Sequence, residues 1–355
     1  MYPALAVLQA LGNEAEVLWV GSEGGMEEQL VKRESIAFTT IPAAGLHGVG
    51  LRNLPGNLWT LGRGYLAARK ALADFRPDAL FFTGGFVAAP VALAGRRLPT
   101  LIYVPDIEPA LALSLVSRFA DHIAVTTENS RAFYKDELKV AVTGYPTRRE
   151  MHDWDKKNAY EVFGLSPQLP TLLAFGGSKG ARAVNRALLP ILPELLDEMQ
   201  VIHVSGAERW EETQAEMPDL SPQQEKRYRA YPYLHTEMGA AMAAADLVVA
   251  RAGASTLGEF PLFGLPAILA PLAFAWRYQK TNADYLAKKG AAIVVNDEDL
   301  KEHLLPTVLD LMRDEQKRAK MAGMMRSLAR PEAAADIAGL LKSMVKDAGT
   351  RRKKA

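Results

Sequence analysis

The chain has 355 residues, 49% of them hydrophobic and 23% charged, with a net charge of +1 and no cysteine. That length exceeds what one hydrophobic core usually supports and predicts two domains of about 150 to 180 residues. The near-zero charge excludes a global electrostatic footprint for nucleic acid, and the lack of thiols excludes disulfides, cysteine nucleophiles and cysteine zinc sites and fits a reducing cytoplasm. No apolar run reaches the roughly 18 residues of a transmembrane helix, so any membrane contact is expected to be peripheral. The N-terminus carries no basic region followed by an apolar stretch, so it does not read as a secretory signal.

In chain order, Tyr2–Leu11 reads as an apolar helix with Pro3 at an early helix position. Strands are predicted near Val17–Val20, Ala37–Ile41, Ala79–Thr83, Leu101–Val104, His122–Thr126 and Val140–Thr143. After the turn-forming run Gly144–Arg148, Met151–Leu165 is predicted to be a helix that starts a second domain. Further strands follow near Thr171–Phe175, Val201–Ser205, Arg227–Tyr231, Leu247–Ala250, Ala267–Ala270 and Ala291–Val295. Helix-period segments lie between most of these strands. Such alternation implies an α/β chain with two Rossmann-like, doubly wound parallel-sheet domains. The expected boundaries are 1–146, 147–330 and a C-terminal stretch 331–355, whose helix near Glu332–Val345 is expected to return to the first domain. The basic run Arg351–Lys354 reads as a solvated tail. Doubly wound domains open on a strand and a Gly-rich turn. Neither precedes Tyr2, so the first domain is expected to lack both in this sequence.

The strongest motif is Phe175-Gly176-Gly177-Ser178-Lys179-Gly180-Ala181, which follows a strand and precedes the helical spacing Ala181, Val184, Leu188, Leu192. Glycines permit close backbone approach, and a following helix start offers unpaired N–H groups, so a diphosphate suits this turn. Ser178 reads either as a phosphate contact or as a helix cap. The Gly-Lys-Ser/Thr order of a Walker loop is absent. Thr83-Gly84-Gly85-Phe86 is a second glycine turn with no charged partner beside it, and a tight structural turn is the plainer reading. In Arg251–Glu259, the Glu259 carboxylate is expected one or two turns into a helix, where it can accept both hydroxyls of a ribose or simply face solvent. Gln279 and Asn282 share a helix face and suit sugar hydroxyls. Asp297-Glu298-Asp299 spells a metal-binding pattern, but acids ahead of a helix complement its dipole, and that reading is preferred. Leu58, Trp59, Leu61, Arg63 and Tyr65 mix apolar and basic character suited to a bilayer surface, against the alternative of a core-facing helix.

The order of these pieces resembles the MurG family, the peptidoglycan N-acetylglucosaminyltransferases of the GT-B fold. The residues that carry the resemblance are Tyr2–Ala6, Trp19–Gly21, Thr83–Phe86, Arg118–Ala120, Gly144–Arg148, Gly176–Ala181, Arg251–Glu259 and Gln279–Asn282, and together they span nearly the whole chain. The resemblance implies two domains facing a cleft. It implies transfer of N-acetylglucosamine, with inversion and without a metal or other cofactor, from UDP-N-acetylglucosamine to undecaprenyl-diphosphate-linked N-acetylmuramyl-pentapeptide, the step from lipid I to lipid II. It places the protein peripherally, on the cytoplasmic face of the membrane and against its anionic surface, with no nucleic-acid partner. In the second domain, Gly177, Ser178, Lys179 and Gly180 would hold the diphosphate, with Gly253, Ala254, Ser255 and Glu259 on the nucleotide and Glu259 at the ribose. Arg148 would reach the nucleotide from the hinge, Tyr233 or Leu234 would border the uracil, and Gln279 and Asn282 would face the sugar. In the first domain, Gly84, Gly85 and Phe86 would meet the acceptor.

The sequence departs from the family pattern at several points. The family's Gly-Gly-Thr-Gly-Gly-His loop would lie upstream of Tyr2, and no histidine occurs before His47. The His-Glu-Gln-Asn stretch is here Tyr103-Val104-Pro105-Asp106, which leaves Asp106 as a candidate base by position, against a helix-cap reading. Phe86 and Tyr278 replace a family tyrosine and histidine. The competing readings are a non-catalytic UDP-sugar-binding remnant, a UDP-sugar epimerase of similar architecture, and a nicotinamide-dependent oxidoreductase. The last requires a Gly-x-Gly-x-x-Gly spacing that neither glycine turn has.

Overall fold

The computed structural model describes residues 1–24, 27–44, 54–177, 179–272 and 278–354. The chain forms two compact units, one of residues 1–146 with 332–355 and the other of residues 147–331.

The first unit runs α1 (Tyr2–Leu11), β1 (Leu18–Ser22), α2 (Glu27–Arg33), β2 (Ala37–Ile41), α3 (Leu54–Phe75), β3 (Leu80–Phe82), α4 (Ala88–Ala94), β4 (Thr100–Val104), α5 (Leu111–Val116), β5 (His122–Val125) and β6 (Val140–Val142). Its strands form a parallel pair β1-β2 and a four-stranded parallel sheet ordered β3-β4-β5-β6. The β4 run Thr-Leu-Ile-Tyr-Val is buried throughout, as expected of a parallel strand covered on both faces. Val91, Ile102, Val104, Leu113 and Ile123 carry the core around it.

The second unit contains α6 (Lys156–Phe163), β7 (Thr171–Phe175), α7 (Arg182–Leu188), α8 (Leu192–Glu198), β8 (Gln200–Val204), α9 (Trp210–Ala215), α10 (Pro222–Glu225), β9 (Tyr228–Tyr231), α11 (Glu237–Ala244), β10 (Leu247–Ala250), α12 (Glu259–Phe263), β11 (Ala267–Leu269), α13 (Tyr278–Lys288), β12 (Ala292–Val294), α14 (Leu300–Arg313) and α15 (Glu315–Ser327). Its six strands are parallel in the order β12-β11-β10-β7-β8-β9. Leu172, Leu188, Leu192, Leu195 and Val249 pack between sheet and helices with no exposed surface. Each such leucine contributes about 1.5–3 kcal/mol by burial. Buried Gln200 on β8 is satisfied by Ser166 and Thr171: its amide nitrogen donates to Ser166 O at 2.8 Å and lies 3.0 Å from Thr171 Oγ1. A polar group at this depth needs such partners.

The chain then returns to the first unit as α16 (Ala333–Lys354), which packs on α1, with Lys342 Nζ 2.8 Å from Glu14 Oε1. This helix runs past the Val345 expected from sequence. The helix expected over Met151–Leu165 begins only at Lys156, because Asp155 caps it by accepting from Asn158 N at 2.8 Å. Met151 sits in a short turn before it. Among the described residues no helix is long and apolar enough to cross a membrane.

Candidate functional site

In the second unit the strand order reverses between β10 and β7: β8 and β9 continue to one side of β7, β11 and β12 to the other side of β10. Ligands of open parallel sheets bind beyond the strand C-termini at such a reversal. Both expected nucleotide motifs start there, the first glycine turn after β7 and the Arg251–Glu259 stretch after β10.

Gly177 and Gly180 adopt φ of +84° and +79°, the region that glycine enters without steric cost. Gly180 N donates to Gly177 O at 3.0 Å and closes the turn. A Cβ on Gly176 would lie 2.0 Å from Ala181 N, and one on Gly180 would lie 2.1 Å from Ser205 O. The turn therefore has to be bare backbone. Lys179 is exposed and sits 3.7 Å from Glu208. Ser178 lies outside the described residues, as do Trp276 and Arg277.

After β10, Thr256 N and Oγ1 both donate to Gly253 O, at 3.0 and 2.7 Å, so Ala254–Leu257 forms a tight turn. That turn makes Glu259 the first residue of α12, not a residue one or two turns inside a helix. Removal from water raises the Glu259 carboxyl from its ordinary 4.5 to about 7, against a hydrogen bond from Ser255 and the charge of Arg148, which both lower it. The fold thus brings Arg148, distant in sequence, to Ser255 and Glu259 of one motif. Arg148 also donates to Glu150 at 3.1 Å.

Asn282 is fully buried and donates to Ala252 O at 3.2 Å, and Gln279 Oε1 accepts from Leu272 N at 3.0 Å. These two amides tie down the loops that follow β10 and β11. Leu234 is buried, and Tyr233 stacks edge-on against His235 with centroids 4.7 Å apart. Asp297 has a structural partner: Arg251 donates to both of its oxygens, to Oδ2 at 3.1 Å, and also to Ala270 O at 2.9 Å. The guanidinium so joins the ends of β10, β11 and β12, a partner for Asp297 in addition to the start of α14 just behind it. Among the described residues no cluster of His, Asp and Glu side chains could hold a metal ion.

In the first unit the Gly84-Gly85 turn and Asp106 follow the adjacent strands β3 and β4. Gly84 and Gly85 take φ of +124° and +90°, and Phe86 beside them is 63% exposed. Thr126 Oγ1 donates to Pro105 O at 2.7 Å, so it accepts from Tyr103 OH, also at 2.7 Å. This relay fixes the backbone next to Asp106. The helix-cap reading of Asp106 does not hold, because α5 starts at Leu111 with Ala110 at its cap position. Along α3, Leu58, Trp59 and Arg63 are exposed, Trp59 by 73%, while Leu61 and Tyr65 are half-buried. Leu66 on the same helix, with Leu111, Leu115 and Phe119, adds exposed apolar surface on this unit. Residues 51–53, just before this helix, lie outside the described residues, as do the side chains of the basic tail.

Sequence reasoning missed two polar residues behind the glycine turn, Asn185 and His203, both buried. Their signal was present: a histidine inside the apolar strand Gln-Val-Ile-His-Val, and an asparagine four residues after Ala181 on the buried side of α7.

Residues 171–338 match the glycosyltransferase family 28 C-terminal domain, and residues 1–125 match the glycosyltransferase family 28 N-terminal domain. A curated relative from Roseiflexus sp. (strain RS-1) is 40% identical, with 97% of this chain and 92% of that protein covered. It is named UDP-N-acetylglucosamine--N-acetylmuramyl-(pentapeptide) pyrophosphoryl-undecaprenol N-acetylglucosamine transferase. A relative of the same name from Listeria welshimeri is 36% identical, with 95% and 94% covered. Among solved structures, MurG of Acinetobacter baumannii matches with a TM-score of 0.75 and 25% identity, over 96% of this chain and 95% of that one. The UDP-GlcNAc 2-epimerase from Neisseria meningitidis, solved bound to UDP-GlcNAc, shares the fold at a TM-score of 0.65 and 14% identity, with 96% of each chain covered.

Proposed function

The chain belongs to the MurG family within glycosyltransferase family 28, and on that premise we propose that it moves N-acetylglucosamine from UDP-N-acetylglucosamine to undecaprenyl-diphosphate-linked N-acetylmuramyl-pentapeptide. The observation that carries this reading is the pairing of a bare glycine turn and Glu259 at the strand reversal between β7 and β10. The bare turn that begins at Gly177, with the helix start behind it, holds the diphosphate and stabilises the charge that develops as it leaves. Glu259 accepts the ribose hydroxyls, and Arg148 keeps its carboxylate ionised when the nucleotide is bound. Asn282 and Gln279 act on the sugar pocket through the loops they tie down.

The acceptor is assigned to the first unit near Gly84–Phe86. Its hydroxyl oxygen attacks C1 of the donor sugar, the bond from C1 to the phosphate oxygen breaks, and UDP departs. The hydroxyl proton passes to a base, and Asp106 is the residue we assign to that role. The exposed apolar side chains Leu58, Trp59 and Leu66, with Arg63 between them, suit peripheral contact with an anionic membrane surface, where a lipid-linked acceptor resides. The epimerase reading has only a fold likeness behind it.

The test is release of UDP from UDP-N-acetylglucosamine by purified protein. The reading expects release that depends on the lipid-linked acceptor, with the sugar recovered on the lipid. Conversion of the donor to an epimer without any acceptor would favour the epimerase instead.

A further inference from the structure

Behind the glycine turn, a chain of polar groups crosses the second unit's core. Asn185 on α7 donates its amide to Ser205 O at 3.0 Å and lies 3.3 Å from Thr213 Oγ1. A carbonyl oxygen can only accept, so this bond sets which end of the Asn185 amide is the nitrogen. Its Oδ1 then faces His203 Nε2 at 3.1 Å and can only accept, so Nε2 carries the proton. The other ring nitrogen, Nδ1, accepts from Tyr228 OH at 2.8 Å. Burial lowers His203 to about 4 and keeps the ring neutral, which this order of donors requires. The result is one directed relay from Tyr228 through His203 and Asn185 to the carbonyl of Ser205.

That carbonyl is the surface on which the glycine turn rests. The space where Gly180 would carry a Cβ is filled by Ser205 O at 2.1 Å, and Gly206, at φ +92°, has Gly180 Cα and N where its own Cβ would be, both at 2.2 Å. A small shift of Ser205–Gly206 therefore moves Gly180 directly, because interiors this tightly packed transmit displacement. Ser205 N, in the preceding peptide, donates to Tyr231 O at 3.0 Å, so the Asn185 amide holds the next peptide, Ser205–Gly206, by its carbonyl.

We propose that Asn185 and His203 are positioning residues for the donor diphosphate: their relay fixes the Ser205 carbonyl and through it the backbone at Gly180, whose N–H closes the turn on Gly177 O. The inference rests on the assignment of that turn to the diphosphate of the donor. Neither residue is given contact with the ligand.

UDP and uridine titrated against the full chain separate positioning from general damage, because uridine has no phosphates for the turn to hold. Asn185→Asp keeps the side-chain size but has no proton for Ser205. Its Kd for UDP is expected to rise about tenfold, while that for uridine stays within about twofold. His203→Leu suits an apolar strand and covers the case in which Asn185→Asp does not fold; a rise of about fivefold for UDP alone is expected. His203→Gln can reproduce the donor and acceptor order and is expected to stay within about twofold of the unaltered chain. Unchanged UDP affinity in Asn185→Asp and His203→Leu, or parallel losses for UDP and uridine, would overturn the proposal. Failure of the unaltered chain to bind UDP would instead remove the donor assignment on which it stands.

Discussion

Glu259→Gln puts opposite demands on stability and binding, and both follow from one carboxyl. In the unliganded fold this group is raised from 4.5 to about 7. The unfolded chain thus releases the proton first as pH rises, and the fold loses stability between pH 4.5 and about 7, with the full loss in place above that. The difference corresponds to about 3 kcal/mol at 1.36 kcal/mol per pKa unit; Glu259 keeps some solvent access, and screening reduces this to about 1–2 kcal/mol. Glutamine is neutral at every pH, so the variant is expected to gain that amount at pH 8 and nothing at pH 4.5. Binding goes the other way, since one amide oxygen replaces two carboxylate oxygens at the ribose, and UDP affinity should fall about tenfold or more. Urea unfolding at the two pH values, with calorimetric titration of UDP at pH 8, reads both effects. A variant less stable than the parent at pH 8, or one that binds UDP as tightly, refutes this account of Glu259.

Other perturbations follow from the same geometry. Arg251→Met strands Asp297 and frees Ala270 O, and should lower stability by about 2 kcal/mol in urea unfolding; an unchanged midpoint would mean that the three strand ends hold without it. Asp106→Asn should reduce kcat about 100-fold and leave the KM for UDP-N-acetylglucosamine unchanged, and retention of kcat would remove Asp106 as the base. Leu58→Ser with Trp59→Ser should weaken sedimentation with anionic vesicles several-fold by removing apolar surface. Equal sedimentation of this variant and its parent would move the membrane contact elsewhere.

The fold was legible because its signals are local. All twelve stretches read as strands lie on strands of the structure, with ends that match or differ by at most two residues. Buried parallel strands such as Leu247–Ala250 are short apolar runs with turn residues behind them, and that pattern needs no knowledge of neighbours. The two glycine turns were legible for the same reason. Helix starts were less so: the start of α6 depends on Asp155 accepting from Asn158, a competition that hydrophobic spacing alone does not resolve.

Contacts between distant residues were not legible. Asp297 read only as an acid ahead of a helix because its ion-pair partner, Arg251, is 46 residues away. Asn185 and His203 lie 18 residues apart and meet only because β8 pairs with β7, the strand that leads into α7. The Thr126 hydroxyl that steadies Pro105 comes from the end of the neighbouring strand, 21 residues on.

Calorimetric titration of UDP against the intact chain and against Gly180→Ala combined with Glu259→Ala puts the donor site to the most direct trial. One saturable site in the parent, lost in the double variant while the far-ultraviolet circular dichroism stays the same, is the expected result. No binding by the parent, or equal affinity in both proteins, would show that the glycine turn and Glu259 do not hold the nucleotide.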